Sequence, residues 1–249
     1  MIKSLLVSLA LIASSALAAP ATLTSKTSCS ATAVSCSSSA SSNTCCSPKY
    51  GLVVLVQQWV PGYGPDDAFT LHGLWPDECN GSYAPSNGCD SSRQWTNIES
   101  IVENYGPSTL HSDMLTYWPS DAESNNDFWS HEWDKHGTCV STYAPTCYGS
   151  SYTKYEDVID YFTKVLELRA QYDLYSALAD ANITPGGSYS VSDMQDAIQS
   201  AFGVTAKIDC SSGTLSDIEI NFVVKGTTTY IPQNTSGSTC KGTVDYPSK

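Results

Sequence analysis

Three of the four histidines in the sequence lie in two short segments that are rich in Trp, Pro and Gly. The first segment is LHGLWP at residues 71–76, and the second is FWSHEWDKHGTC at residues 128–139. Imidazole has an ordinary pKa of about 6.5, so one ring can be neutral while another is charged at the same pH. One ring can then accept a proton while another donates one, and the two segments predict general acid–base chemistry.

The second segment adds a carboxylate and an ammonium group to these imidazoles. Cleavage of a phosphodiester without a metal ion needs a base, an acid, and donors for the charge that grows on the phosphorus oxygens. His72, His131 and His136 are the candidate proton carriers and phosphate ligands. Lys135 can hold the phosphate, and Glu132 can either orient a neighbouring imidazolium or hydrogen-bond the pentavalent phosphorus centre. This set of side chains predicts metal-independent cleavage of a phosphodiester.

Two other interpretations of the histidines compete with this one. A histidine beside aromatic residues is often packed and hydrogen-bonded without any catalytic role, and this is the alternative for His72 taken alone. His131 and Glu132 followed by His136 are also similar to the His-Glu-x-x-His helix of zinc proteases. Here, however, the second histidine follows after five residues, about 140° round a helix, whereas two ligands on one face need about 40°. Lys135 would also place a cation beside the metal, so we predict no metal site.

The two segments together resemble the paired active-site motifs of the ribonuclease T2 family. HGLWP at residues 72–76 and HEWDKHGTC at residues 131–139 match both motifs without a departure. The similarity extends from the region of Cys29 to the C-terminus, and it is particularly clear to secreted fungal members. The resemblance implies an RNA-cleaving enzyme that needs no cofactor, forms a 2′,3′-cyclic phosphate first, and then hydrolyses it to a 3′-phosphate.

The resemblance also implies a role for each polar side chain of the motifs. His136 would act as the base on the 2′-hydroxyl and His72 as the acid for the 5′-oxygen, with the reverse assignment as the alternative. His131 would bind phosphate, and Glu132 and Lys135 would stabilise the transition state.

Residues that follow the first motif are candidates for binding a nucleobase. By the same resemblance, Trp75, Asp77 and Tyr83 would hold a base by stacking and by accepting a hydrogen bond from the amino group of adenine. The alternative is that Trp75 lies in the core, Asp77 is an ordinary loop acid and Tyr83 covers the surface. Phe128 and Gln58 are weaker candidates for a second base site. We interpret the remaining histidine, His111, as a surface residue.

The sequence contains ten cysteines, and this even number in an exported chain predicts five disulfide bonds. No Cys-x-x-Cys pair occurs, which argues against a structural zinc site. Cys45 and Cys46 are adjacent and would bridge each other only with strain, so we expect each to reach a distant partner. The family resemblance implies the pairs Cys29 to Cys46, Cys36 to Cys79, Cys45 to Cys147, Cys89 to Cys139, and Cys210 to Cys240.

The N-terminus has the pattern of a signal peptide. Lys3 precedes an apolar run from Leu5 to Ala18 that ends in small residues, which predicts cleavage after residue 18, or after a short pro-segment to about residue 26. Residues 27–249 would then form the ribonuclease T2-like catalytic domain. No later stretch approaches the roughly 20 apolar residues of a membrane span. We expect secretion, or delivery to a vacuolar or lytic compartment, and no membrane partner.

Three glycosylation sequons fit passage through the secretory pathway, and they lie at Asn80, Asn182 and Asn234. The formal net charge is −13, and it becomes −14 when Lys3 is removed with the signal peptide. Such acidity argues against general affinity for nucleic acid, which usually depends on Lys and Arg. A hydrolase can use a local cationic pocket instead, and acid pH neutralises carboxylates while it charges imidazoles.

The pattern of apolar residues predicts an α+β domain with a mostly antiparallel central sheet, flanking helices, and long loops held by disulfides. Residues 50–60 form a nearly continuous apolar run that is typical of a central strand. Residues 156–181 have helical spacing, and residues 218–224 alternate as a strand does. Ser192 and Gln195 predict the capped start of another helix. No Pro/Gly linker divides the chain after Tyr50, which favours one domain.

We therefore predict a monomeric endoribonuclease that cleaves single-stranded RNA with broad base tolerance, some preference for adenine, and an acid pH optimum. A non-catalytic storage or defence protein on the same scaffold is one alternative, although it would be expected to lack a histidine that this chain retains. A metal-dependent nuclease is the other alternative, and a chelator would inactivate it.

Overall fold

The computed structural model of the protein describes residues 27–249. The predicted signal peptide and pro-segment lie outside these residues. Within them, helices flank a seven-stranded sheet in a single α+β domain, as the sequence predicts. Each neighbouring pair of strands is antiparallel except β5 and β7, defined below, which meet in parallel at Thr214 and Asp245.

The strands, in chain order, are β1 (Leu52–Gln58), β2 (Thr70–Asp77), β3 (Gly187–Ser190), β4 (Lys207–Ser211), β5 (Thr214–Lys225), β6 (Thr229–Gln233) and β7 (Thr243–Tyr246). The helices are α1 (Ile98–Tyr105), α2 (Leu110–Tyr117), α3 (Asn125–Lys135), α4 (Pro145–Tyr148), α5 (Glu156–Gln171), α6 (Leu174–Asp180) and α7 (Val191–Phe202). Short 3-10 turns lie at Ser91–Arg93, Gly137–Cys139, Ser141–Tyr143 and Gly149–Ser151.

Strand β1 lies in the centre of the sheet, between β2 and β5. Six of its seven residues are buried, because both faces of the strand are covered. This confirms the central strand predicted from the apolar run. Since residues paired across strands share a face, Val56, Gly73 and Glu219 lie on one face of the sheet, and Gln58 and Asp217 continue that face.

The opposite face of the sheet packs against helices. On β5, Ile218, Ile220 and Phe222 are fully buried, whereas the residues between them are only partly buried. Phe222 contacts Tyr172 at the end of α5, with ring centroids 5.0 Å apart. The alternation predicted for β5 therefore separates the apolar core from a face that can carry polar groups.

Helix α5 presents a stripe of buried residues to this core, with Val158, Phe162 and Val165 at helical spacing. The helical segment predicted over residues 156–181 is divided in two, because α5 ends at Gln171 and α6 starts at Leu174. Asp173 caps α6 by accepting a hydrogen bond from the backbone N–H of Ser176.

The start of α7 differs from the predicted one by two residues. The N-cap is Ser190, whose side chain accepts a hydrogen bond from the backbone N–H of Asp193, and not Ser192. The side chain of Gln195 does not return to the cap and donates to the carbonyl oxygen of Ala206. A tertiary contact has displaced the local capping pattern.

Five disulfide bonds tie the loops to the domain, as predicted. They join Cys29 to Cys46, Cys36 to Cys79, Cys45 to Cys147, Cys89 to Cys139, and Cys210 to Cys240, which are the pairs that the resemblance implies. The adjacent Cys45 and Cys46 bond to different partners; two bridges, Cys36–Cys79 and Cys45–Cys147, hold the Ser-rich arm at residues 27–47 to the rest of the domain, and Cys29–Cys46 closes the arm on itself. Across residues 27–249, no helix has the length and apolar character needed to cross a membrane.

Candidate active site

His72 is the extra residue of a β-bulge. Between β1 and β2, Val56 pairs with Gly73 whereas Gln57 pairs with Leu71, so His72 has no partner of its own. The indole N–H of Trp118 donates to the carbonyl oxygen of His72 at 2.9 Å, which satisfies a group that the bulge removes from the ladder. Bulges redirect side chains, and this one brings His72 to the face of the sheet that Gly73 also occupies.

Gly73 leaves room for a buried carboxylate. A Cβ atom at this position would overlap the Oε2 atom of Glu132 and the indole nitrogen of Trp75. Because Gly73 has none, the Glu132 carboxylate lies against the strand and accepts a hydrogen bond of 3.0 Å from the Trp75 Nε1–H. Glu132 is only 1% exposed. The first motif therefore needs a glycine at residue 73, because any side chain there would displace the glutamate of the second motif.

Helix α3 holds the second motif by its apolar side. Ser124 caps the helix by accepting from the backbone N–H of Asp127. Trp129 and Trp133 lie one turn apart and are both fully buried. Their indole N–H groups donate to the carbonyl oxygens of Trp118 and Arg93, respectively. These two anchors fix the rotation of α3 about its own axis, and so fix where its polar residues lie.

The polar residues of the second motif meet the first motif through helical spacing and a stacked pair. Glu132, Lys135 and His136 are separated by three and four residues and share one side of the helix end. The His136 ring stacks on Trp75 with centroids 5.1 Å apart, and the His72 ring contacts Trp75 at 4.8 Å. Trp75 thus links the two histidines. Its stacking and its hydrogen bond to Glu132 make it part of the site, and not of the core.

The end of the second motif is anchored as firmly as its start. Gly137 lies so close to the Trp133 ring that a Cβ atom there would overlap it. Cys139 is bonded to Cys89. Thr138 donates to the carbonyl oxygen of Asp134 at 2.7 Å. The chain directly after His136 therefore has little freedom to move the imidazole.

The two histidines at this centre have opposite pKa shifts. Burial, and then the nearby charges of Lys135 and His131, lower the pKa of His136 to about 3. Burial also acts to lower the pKa of His72, but the hydrogen bond to Asp217 is the largest opposing effect, and the pKa lies above its ordinary value. At mildly acid pH, His136 is neutral and His72 is charged, so one can accept a proton while the other donates one.

Two carboxyls beside these histidines are held in the neutral form at acid pH. Burial raises the pKa of Glu132 to about 7, against the charges of His72 and Lys135 and the hydrogen bond from Trp75. Burial raises the pKa of Asp77 to about 6, although a backbone N–H from Ala84 partly offsets it. A protonated carboxyl can donate a hydrogen bond to phosphate, whereas a carboxylate repels it.

His131 lies at the rim of the site. It is exposed, and its ring centroid is 6.5 Å from that of His136. Burial and then the charge of Lys135 lower its pKa. The structure therefore brings together all five candidate residues of the two motifs, with Glu132 buried in the centre and His131 nearest to solvent.

A cavity of about 310 Å³ adjoins His136 and Lys135, and its other walls are formed by Trp75, Asp77 and Tyr83 together with Pro85. Asp77 is 9% exposed and meets Tyr83 in an isolated β-bridge, whereas Tyr83 is 86% exposed. The cavity has one aromatic wall and a carboxyl group as an acceptor, and its volume suits a planar base. All three residues predicted to bind a base therefore line one pocket beside the histidines.

The weaker candidates lie close to this centre as well. The centroid of the Phe128 ring is 6.0 Å from that of the His72 ring, and Phe128 is partly buried. Gln58 is buried, and its side-chain amide donates to the carbonyl oxygen of Leu71. The interpretation of His111 as an ordinary surface residue was incomplete, because its ring nitrogens contact Glu99 and Glu103 at 3.2 and 3.3 Å.

Sequence reasoning missed Asp217, whose Oδ1 atom lies 3.4 Å from Nδ1 of His72. A larger groove of about 670 Å³ lies elsewhere, between α6 and α7, and no histidine lines it. Among residues 27–249, no group of three or more His, Cys, Asp or Glu side chains has a geometry that could hold a metal ion.

Comparisons with known proteins point to one family. A family model described as the ribonuclease T2 family matches residues 26–240. Ribonuclease Rh of Rhizopus niveus is 59% identical over 223 residues, which cover 89% of this chain and 93% of that protein. The crystal structure of Actibind, described as a T2 ribonuclease, has a TM-score of 0.82 at 39% identity and covers 88% of this chain and 96% of its own. The structure of RNase NT in complex with 5′-AMP has a TM-score of 0.59 at 29% identity, with coverage of 80% and 98%.

Proposed function

The chain belongs to the ribonuclease T2 family and is a metal-independent endoribonuclease that acts on RNA, and from this premise we propose how it cuts. We propose that it cleaves single-stranded RNA by transesterification to a 2′,3′-cyclic phosphate, followed by hydrolysis to a 3′-phosphate. The observation that carries the proposal is a pair of histidines whose rings both contact Trp75. His136 has a lowered pKa and His72 has a raised pKa.

In the first step, His136 removes the proton from the 2′-hydroxyl, and the 2′-oxygen attacks phosphorus. The bond from phosphorus to the 5′-oxygen breaks, and His72 donates a proton to that oxygen as it leaves. The lowered pKa of His136 keeps its ring free to accept a proton at acid pH. The raised pKa of His72 keeps a proton ready for donation. In the second step the roles reverse: His72 removes a proton from water, the water oxygen attacks phosphorus, the bond from phosphorus to the 2′-oxygen breaks, and His136 donates a proton to that oxygen.

The remaining motif residues stabilise the charge on the phosphorus oxygens. Lys135 and His131 attract the phosphate from the open side of the site. Glu132, neutral below about pH 7, donates a hydrogen bond to a non-bridging oxygen in the transition state. The alternative role, orientation of an imidazolium, has less support because the hydrogen-bond donor found on Glu132 is Trp75.

The cavity beside His136 binds the base of the nucleotide whose 2′-hydroxyl attacks, which carries the 3′-phosphate after cleavage. Trp75 and Tyr83 stack on the base, and Asp77 accepts a hydrogen bond from an exocyclic amino group such as that of adenine. The RNase NT structure, which is in complex with 5′-AMP, supports binding of an adenine nucleotide within this family. Stacking tolerates every base, so we propose broad specificity with a preference for adenine.

The protein works best at acid pH, outside the cell or in a vacuolar or lytic compartment, as a monomer whose catalytic domain spans residues 27–249. The fungal relatives and the five disulfides support an oxidising extracellular location. The three sequon asparagines, Asn80, Asn182 and Asn234, are exposed and accessible to glycosylation. Activity on homopolymer RNA that is equal or greater at pH 7.5 than at pH 4.5 would contradict the acid optimum.

The decisive experiment incubates the purified protein with matched RNA and DNA oligonucleotides in EDTA and identifies the new ends by mass. We expect cleavage of RNA alone, with cyclic phosphate ends that later become 3′-phosphates. A His136→Ala variant should lose this activity, which separates the proposal from a non-catalytic protein on the same scaffold. Cleavage of DNA, or loss of activity in EDTA, would overturn the proposed chemistry.

A further inference from the structure

A carboxylate from the far side of the central strand reaches the catalytic imidazole. Asp217 lies on β5, and its Oδ1 atom is 3.4 Å from Nδ1 of His72. The two residues are 145 positions apart in the chain. Neither of the two sequence motifs contains Asp217, and the mechanism above assigns it no role of its own.

The sheet register creates this contact. Strand β1 lies between the strands of the two residues, and Gln58 of β1 pairs with Asp217. Because the bulge in β2 puts His72 on the same face, its ring can reach across β1 towards β5. The contact therefore depends on regular backbone pairing and one bulge, and not on a mobile loop.

Within residues 27–249, Asp217 has no other cationic partner. Among the described residues, its one ion pair within 4.0 Å is the one with His72. The neighbouring cation, Lys207, is paired with Asp209 and Glu219 at 2.7 and 2.8 Å. The Asp217 charge is thus left to act on the imidazole.

Other charged groups also face His72. Glu132 on α3 and Asp121 in the loop before α3 act to raise its pKa, as Asp217 does. His131 and His136 lie on the same side and carry positive charge when protonated. Asp217 differs from all of these because it contacts a ring nitrogen directly, and a contact can set orientation as well as charge.

We propose that Asp217 is a positioning residue for His72. It accepts a hydrogen bond from Nδ1–H, which leaves Nε2–H as the group that faces the 5′-oxygen, and its charge keeps the ring protonated at the pH of the reaction. During cleavage the proton moves from Nε2 to the 5′-oxygen, Nδ1–H stays hydrogen-bonded to Asp217, and no proton passes to Asp217. The inference rests on the proposed role of His72 as the acid.

The test compares Asp217→Asn with Asp121→Asn, which removes a nearby carboxylate that does not hydrogen-bond the ring. With an RNA dinucleotide, Asp217→Asn should lower kcat about 10-fold with little change in KM, since the lost group assists proton transfer and does not bind substrate. The alkaline limb of the kcat profile should move about one pH unit towards acid, because the limb follows the pKa of His72. Asp121→Asn should change kcat by less than about 2-fold, because exposed charges are screened.

A second substrate separates help for the leaving group from general damage. Uridine 3′-(4-nitrophenyl phosphate) releases a phenolate that needs no proton, so the Asp217→Asn variant should cleave it within about 2-fold of the wild-type rate. Equal losses of kcat on both substrates would overturn the proposal. So would an unchanged kcat and pH profile with the dinucleotide.

An NMR titration of His72, assigned with a His72→Gln variant, gives a readout that does not need activity. Replacement of Asp217 should lower the pKa of His72 by about one unit, and an unchanged pKa would overturn the inference. If Asp217→Asn does not fold, Asp217→Glu serves instead, and it should keep the raised pKa of His72 while it changes kcat. If the wild-type protein fails to cleave RNA, the proposed function is wrong, whereas the titration still decides whether Asp217 and His72 are coupled.

Discussion

Replacement of the buried Glu132 by Gln should make the protein more stable at neutral pH than at acid pH, relative to wild type. Glu132 is 1% exposed and accepts one hydrogen bond, from the indole of Trp75. Gln has nearly the same shape and can accept the same hydrogen bond through its carbonyl oxygen, but it does not ionise. The substitution therefore removes the cost of a buried charge and leaves the packing over Gly73 in place.

The size of the effect follows from the pKa. Burial raises the pKa of Glu132 from 4.5 to about 7, so between these values the folded state holds a proton that the unfolded state has released. Stability contributed by this group is complete below pH 4.5 and is lost as pH rises through 7, by up to about 1.4 kcal/mol per pH unit. The total is about 3 kcal/mol. For a chain of this size, that corresponds to about 6–12 °C in Tm.

The measurement is the unfolding free energy of wild type and Glu132→Gln from pH 4 to pH 8, with the disulfides intact. The difference between the two proteins should be constant below about pH 4.5 and should grow in favour of the variant up to about pH 7. Glu123→Gln is the matched control, because Glu123 is an exposed glutamate directly before the cap of α3. Its stability should follow that of wild type at every pH.

A difference that does not depend on pH would show that Glu132 titrates normally in the folded protein. A difference that grows as the pH falls would show that His72 and Lys135 hold the carboxylate ionised. Either result would refute the reasoning from burial, and with it the proposal that Glu132 donates a proton in a hydrogen bond to phosphate.

Three further predictions concern the frame of the site. Gly73→Ala should lower the free energy of unfolding by about 1–3 kcal/mol and lower kcat at least about 10-fold, because the new methyl group displaces the Glu132 carboxyl over the strand. Gly106→Ala is the control: Gly106 is crowded against the end of α1, so this variant should lose stability with kcat unchanged. Asp77→Ala, which removes the acceptor, should lower kcat/KM for adenine dinucleotides about 10-fold more than for uracil ones, and equal losses would remove Asp77 from base recognition. Replacement of both Cys89 and Cys139 by Ser should cost about 2–5 kcal/mol in denaturant unfolding, and activity measured well below the new Tm should also fall, because the bond anchors the chain after the second motif.

The parts of the fold that depend on local sequence were predictable. The apolar run that became β1 and the alternation in β5 gave the correct elements, since burial of one or both faces leaves a direct pattern. The start of α7 was misplaced because Ser190 and Ser192 are both good caps, and the choice between them depends on contacts outside the helix. Local capping signals cannot resolve such a choice.

The site was predictable only as a set of residues. The two motifs identified His72, Glu132 and His136, but the sequence did not choose a role for Glu132. That choice depends on burial against Gly73, which no local pattern reports. The contact between His72 and Asp217 was missed for the same reason, because it requires the bulge and the register of three strands. The alternation of residues 218–224 indicated a polar face for β5, but it did not identify the partner of Asp217.

The acidity of the chain and its action on RNA are compatible because the site loses negative charge before the rest of the surface does. As the pH falls below about 6, Asp77 and Glu132 become neutral, since burial has raised both pKa values. His72 is charged over the same range. A protein with a formal net charge of −13 at neutral pH can therefore present a locally cationic pocket to a phosphodiester at acid pH. At neutral pH the ionised carboxyls would repel the phosphate, so binding of substrate should weaken as the pH rises, even before His72 loses its proton.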